Sequence, residues 1–172
     1  MNRTLVVVLA TVLLCGCSVR AARPLVVDPT CPVGVSQAVA QVATEWDHAI
    51  PGLEVTVQDQ GAISVRCNGA PPNPTGKLAI LAQSPMGGPL EVWPEEQPWD
   101  QLVRTLRHEL GHFLGAVGLY AHPPDGQAMR DAEPSSWTCI NAKDIDAVCR
   151  GRGTLLRPWG CRGEVFQTCP PP

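Results

Sequence analysis

The stretch RTLRHELGHFLGAVGLYAH, Arg104 to His122, restricts this chain more than any other. Leu102, Val103, Leu106, Leu110, Phe113 and Leu114 recur at helical spacing and define one apolar stripe. His108 and His112 stand four apart and so share a second face of the same helix. Gly115 and Gly118 end it, and Asp100, just after Pro98-Trp99, is placed to cap its start. The histidines lie beside this stripe, which is the context a buried site needs.

Two imidazoles one helical turn apart can direct their nitrogens at a single ion, and zinc favours imidazole in tetrahedral sites. Glu109 projects to the adjacent side of the helix, where it can take a proton from a water made acidic by the metal. The pattern His108-Glu109-Leu110-Gly111-His112 therefore points to hydrolysis of an acyl bond, most often a peptide. The bland alternative is an amphipathic helix with two surface histidines. The chain has four histidines in all, His48, His108, His112 and His122, and three of them fall between 108 and 122, which favours a site over chance. A catalytic zinc needs a third protein ligand and one open position.

The N-terminus reads as an export signal. Arg3 supplies a positive charge and Leu5 to Leu14 is an apolar run of ten residues, too short to span a bilayer. Leu14-Cys15-Gly16-Cys17 resembles the bacterial lipobox, which makes Cys17 the lipidated first residue of the mature protein. That resemblance implies a signal peptide over 1–16 and a lipid anchor in the bacterial cell envelope, at the outer membrane. The alternative is an ordinary cleaved signal and a secreted protein. Residues 17–30 then read as a tether and 31–172 as a single domain.

Cysteine use agrees with export. With Cys15 removed and Cys17 acylated, Cys31, Cys67, Cys139, Cys149, Cys161 and Cys169 remain, an even set that reads as three disulfides with the pairing open. A cysteine zinc site is disfavoured because no Cys-x-x-Cys occurs among them. Eighteen prolines and sixteen glycines indicate short elements joined by many loops. The formal net charge of −3 and the absence of a basic run argue against a nucleic-acid partner.

Along the chain, Val35, Ala38, Val39, Val42, Ala43 and Trp46 predict a first helix from Val33, with Ser36 as N-cap and Pro51-Gly52 as its stop. LEVTVQD, AISVRCN, KLAILAQ and LEVWPE predict short strands. NAKDIDAVCR predicts a last helix with Asn141 or Asp144 near its N-cap, and the remainder predicts a disulfide-tied tail. His48 reads as a solvated surface residue, Trp46 and Trp93 as core packing, Tyr120 as packing or surface, and Glu95-Glu96 as a solvated turn.

HELGHFLG resembles the opening of the metzincin signature His-Glu-x-x-His-x-x-Gly-x-x-His/Asp, with Gly115 at the position of the family's turning glycine. Met129 resembles the family's Met-turn methionine, and the order of elements over roughly 33–150 is similar to that of matrix-metalloprotease-like members. The resemblance implies an α+β, zincin/metzincin-like fold. In it a twisted, mostly parallel mixed β-sheet packs on an N-terminal helix and the zinc-binding helix, followed by a short C-terminal helix.

The departure comes at Gly118, which stands where the family places its third ligand and has no side chain to offer. His122, at the end of a loop four residues longer, is the favoured replacement; Asp125 in Pro-Pro-Asp-Gly is the alternative, and Glu133 the weakest. The implied activity is that of a monomeric zinc metalloendopeptidase with Glu109 as general base and a peptide extended along Leu78 to Gln83. The competing expectation is a non-catalytic envelope lipoprotein that keeps the fold for binding; intact Glu109 counts against it.

Overall fold

A computed structural model of the chain describes residues 23–69, 82–83, 88–94, 97–130, 138–151, 161 and 166–169. The chain enters through β1 (Arg23–Leu25), then α1 (Val33–Ala49), a 3-10 turn (Pro51–Leu53), β2 (Val55–Val57), β3 (Val65–Cys67), β4 (Ala82–Gln83) and β5 (Leu90–Val92). It continues through α2 (Trp99–Leu114), a second 3-10 turn (Gly118–Tyr120) and α3 (Ala142–Gly151). The architecture is α+β.

β1 and β2 pair in parallel, as do β3 and β5, while β4 pairs antiparallel with β5 and lies at the edge of the order β3-β5-β4. The two ladders are joined just beyond β1 by a parallel bridge between Val27 and Val65, with Val65 N–H donating to the Val26 carbonyl at 3.1 Å. Residues 23–28, expected to be tether, thus belong to the sheet. Strand pairing across thirty residues leaves no local signature in RPLVVD, which is why sequence periodicity missed it. Of the predicted strand KLAILAQ only Ala82–Gln83 falls among the described residues, and Glu95, Glu96 and Cys17 lie outside them.

α1 buries Val35, Ala38, Val39, Val42, Ala43 and Trp46, the stripe its spacing predicts, and Ala49 beyond it. Its start differs from expectation. Pro32, at φ −54°, leads straight into Val33, and Ser36 sits a turn inside the helix instead of capping it. Proline needs no N–H partner and its fixed φ suits the entry to a helix, so the side-chain cap is dispensable. Ile50, Pro51 and Leu53 then close the helix into the first 3-10 turn, with Ile50 N–H donating to the Trp46 carbonyl at 2.9 Å.

α1 packs on α2 through a polar clasp within an apolar contact. The Trp46 indole Nε1 donates to the Arg107 carbonyl at 3.0 Å. The Arg107 guanidinium, 7 % exposed, makes a two-pronged ion pair with Glu45 at 2.6 and 3.0 Å. Around these the core joins Leu25, Val55, Val65, Leu90 and Val92 of the sheet to Leu102, Leu106, Leu110 and Leu114 of α2 and Ile145 and Val148 of α3.

Three disulfides close the structure, Cys31–Cys67, Cys139–Cys169 and Cys149–Cys161, which resolves the pairing left open by sequence. The first ties the entry of α1 to the end of β3. The second holds the tail beside Ile140, whose carbonyl accepts from Thr168 N–H at 2.9 Å and whose N–H donates to Thr168 Oγ1 at 2.7 Å. Phe166 of the same tail donates its N–H to the Ala49 carbonyl and stacks on exposed His48.

Because Trp46 joins α1 to the main chain of α2 in a buried contact, Trp46→Phe removes a donor and leaves the Arg107 carbonyl without it. Chemical denaturation with the disulfides intact should show a loss of about 2 kcal/mol, the range for a buried hydrogen bond broken on one side.

Candidate metal centre

α2 begins at Trp99 after Pro98, again a proline entry; Asp100 lies in the first turn and forms an exposed i,i+4 pair with Arg104 at 3.8 Å instead of a cap. Of the predicted stripe Leu102, Val103, Leu106, Leu110 and Leu114 are buried and Phe113 is half-buried, and Thr105, Arg107, His108 and Gly111 are buried with them. The reason glycine stands at 111 lies beneath the helix. A Cβ there would run into Met129 Sδ and approach Trp46 Cζ2 to 3.0 Å, so glycine lets the fully buried Met129 pack directly against the helix between the two histidines in sequence.

Gly115, at φ 140°, ends α2 and turns the chain back, a conformation glycine adopts without strain. Gly115 and Ala116 N–H groups donate to the Gly111 carbonyl at 3.0 and 2.9 Å. The reversal brings the Ala116 carbonyl to His112 Nδ1 at 2.6 Å. Gly118, at φ 60°, opens the second 3-10 turn, and the chain then delivers His122. The His122 ring stacks on His108 with centroids 5.3 Å apart and meets His112 edge-on at 4.9 Å.

His108, His112 and His122 offer ligand nitrogens that all lie within 4.8 Å of one another and could hold a metal ion. Burial is graded across them, with His108 buried, His112 half-buried and His122 exposed. His108 Nδ1 is bound to the Ala128 carbonyl at 2.8 Å, and His112 Nδ1 to the Ala116 carbonyl. Carbonyls only accept, so both Nδ1 atoms carry the proton and both Nε2 atoms present lone pairs, which face each other at 3.1 Å. Two lone pairs at that distance repel unless a cation lies between them. Nitrogens around a tetrahedral ion with bonds of about 2.1 Å are themselves about 3.4 Å apart. The donor set therefore fits a metal. Backbone carbonyls that fix the tautomer are the usual partners of ligating histidines.

The electrostatics agree. Burial, then the charge of neighbouring His112, pushes the His108 pKa down to about 3, against the opposing pull of the Ala128 carbonyl. Burial also lowers that of His112. Both rings stay neutral, as ligands must be.

The turn that supplies the Ala128 carbonyl is organised by a residue whose role sequence reasoning saw only in part. Asp144, fully buried, accepts N–H groups from Gln127 at 3.1 Å, Ala128 at 3.0 Å, Met129 at 2.9 Å and Asn141 at 2.8 Å. Asn141 Oδ1 in return accepts from Lys143 and Asp144 N–H, so the two residues cap α3 reciprocally. The Asn141–Asp144 spacing predicts that cap. The grip on residues 127–129 is a long-range contact that no local pattern announces.

Asp125 is exposed and outside the cluster. Gly126 N–H closes a turn onto the Pro123 carbonyl at 3.0 Å, and the Asp125 main-chain carbonyl accepts from Asn141 Nδ2 at 2.8 Å. Its part is in the turn, where Pro-Pro-Asp-Gly is at home. Glu133 lies outside the described residues. Glu109 follows His108 on α2 and is half-buried; Tyr120 packs against the core and faces Arg150, and Trp93 is buried. No protein-family model matches the chain, and no curated protein is significantly similar to it.

Asp144→Asn keeps the shape but lets one side-chain atom donate where four N–H groups require acceptors. It should destabilise the protein by roughly 3 kcal/mol and weaken metal binding about 10–100-fold, read by denaturation and by competition with a coloured chelator. A pH dependence follows from His108. Between about pH 6.5 and 3 the unfolded chain protonates this ring and the fold does not, so stability is full above 6.5 and falls as pH drops. Denaturation of metal-free protein should show that fall, and His108→Leu should flatten it.

Proposed function

We propose that this protein is a zinc-dependent metalloendopeptidase of metzincin type, exported to the bacterial cell envelope and held there by a lipid on Cys17. The observation that carries the reading is the gathering of His108, His112 and His122 into one cluster, two of them on the helix that also carries Glu109. Buried Met129 packed against Gly111 of α2, the glycine reversal at 115 and largely parallel strand pairing with an antiparallel β4 support the metzincin comparison. The three imidazoles would hold zinc, which when bound polarises a carbonyl and makes water acidic.

The rest of the work falls to the chain. Glu109, one residue from His108 on the same helix, accepts the proton of the attacking water and passes it to the departing amine as the peptide bond breaks. Ala116 and Ala128 hold the two helical imidazoles in the tautomer with Nε2 free. Among the described residues β4 has a strand partner on one side only, and its outer side is where an extended peptide would gain main-chain hydrogen bonds.

Three disulfides are consistent with an extracellular or envelope location. Among the described residues no helix is long and apolar enough to cross a membrane.

Purified protein should contain one zinc and cleave an unfolded protein or a fluorogenic peptide library. Glu109→Ala should retain the zinc and lose activity by about a thousandfold or more, consistent with loss of general acid–base transfer; His122→Ala should lose both. A wild type without zinc, or a Glu109→Ala protein that cleaves as fast, would sink the proposal, and stoichiometric zinc in His122→Ala would remove His122 from the ligand set.

A further inference from the structure

α3 reaches the metal centre at both ends. At its start Asp144 holds residues 127–129. At its other end Gly151 lies against the main chain of the loop that leaves α2. A Cβ on Gly151 would run into the Gly115 carbonyl and come within 2.8 Å of Val117 N and 3.0 Å of Gly115 C. These two residues flank Ala116, whose carbonyl orients His112. One turn further along, Tyr120 faces Arg150, which is itself held by Asp146 at 2.8 Å. The last turn of α3 thus touches the loop twice, before and after Gly118, over the stretch that carries the chain from His112 to His122. The Cys149–Cys161 disulfide fastens that same turn.

Helix propensity offers no reason for glycine at 151. The residue is helical and its φ lies outside the left-handed region, and alanine is the better helix former there. What demands glycine is the close approach of two backbones.

We propose that Gly151 is a positioning residue for the metal centre: by letting α3 seat directly on Gly115–Val117, it places the Ala116 carbonyl on His112 and starts the long loop on the course that ends at His122. The proposal rests on the three-histidine reading of the site. It gives the extended loop a mould. A loop with glycines at 115 and 118 has no stiffness of its own to deliver a ligand, and α3 supplies the surface it lies on. His108 is held separately, through Ala128 and Asp144. The prediction is therefore selective: disturbing Gly151 affects His112 and His122 and spares His108.

The test compares wild type with Gly151→Ala in the full purified protein. Nitrogen-15 histidine spectra of metal-free protein report each ring's tautomer, and zinc affinity is read by chelator competition. Gly151→Ala should keep the fold by circular dichroism and weaken zinc binding at least tenfold. The His112 Nδ1–H signal should shift toward a tautomer mixture, with that of His108 unchanged. Unchanged affinity and spectra would overturn the proposal, and so would equal disturbance of both rings, which marks a general loosening of the fold. Should Gly151→Ala fail to fold, Tyr120→Ala at the second contact is judged by the same readings. A wild type that binds no zinc refutes the site reading itself; the metal-free spectra still decide the role of Gly151.

Discussion

Four backbone N–H groups converge on one buried carboxylate, and the geometry of the site follows from that convergence. Asp144 is removed from water entirely. An isolated charge in that position would be very costly, and the donors of Gln127, Ala128, Met129 and Asn141 take the place of its hydration. The convergence welds the start of α3 to a turn fifteen residues earlier in the chain. That turn then does two things, facing the Ala128 carbonyl toward His108 and sending Met129 beneath α2. A peptide unit thus links the carboxylate to the imidazole, accepting on one side and donating on the other. Gly126 belongs to the same arrangement, since a Cβ there would approach Asp144 Oδ1 to 2.5 Å.

The opposite side of α2 is anchored by α1. Trp46 takes the carbonyl of Arg107, the residue before the first histidine, while Glu45 takes its guanidinium. Removing either partner of such a buried pair leaves a charge uncompensated, so the pair acts more as a constraint on helix placement than as a source of net stability. Between these two anchors the helix has little freedom to slide or roll. Exposure is left to the end of the ligand set, at His122, where solvent and any substrate have access.

Much of this was legible in the chain. The apolar stripe of α2, the stripe of α1 from Val35 to Trp46, a last helix near 141–150 and the even set of cysteines all follow from periodicity or composition, because burial of one face repeats with the helix. His108 and His112 were legible for the same reason. The helix starts were misread at Ser36 and Asp100, since a preceding proline serves as an entry without a side-chain cap. β1 was read as tether because its partner, β2, lies beyond a whole helix. Asp144 was legible as a cap and no more, and Gly111 and Gly151 carried no signal, since what they accommodate is packed against them from elsewhere in the chain. Imidazole chemistry and the shorter detour favour His122 over Asp125, but the course of the loop is not legible locally, because the mould that shapes it is α3, some twenty residues downstream.

The carbonyls of Ala116 and Ala128 have one more consequence, for the order of assembly. In domains that are unfolded without their metal, ion binding and chain ordering are a single event. Here two of the three rings that could hold an ion are oriented by main-chain carbonyls, so the entropy of arranging them is lost as those contacts form and not again when an ion binds.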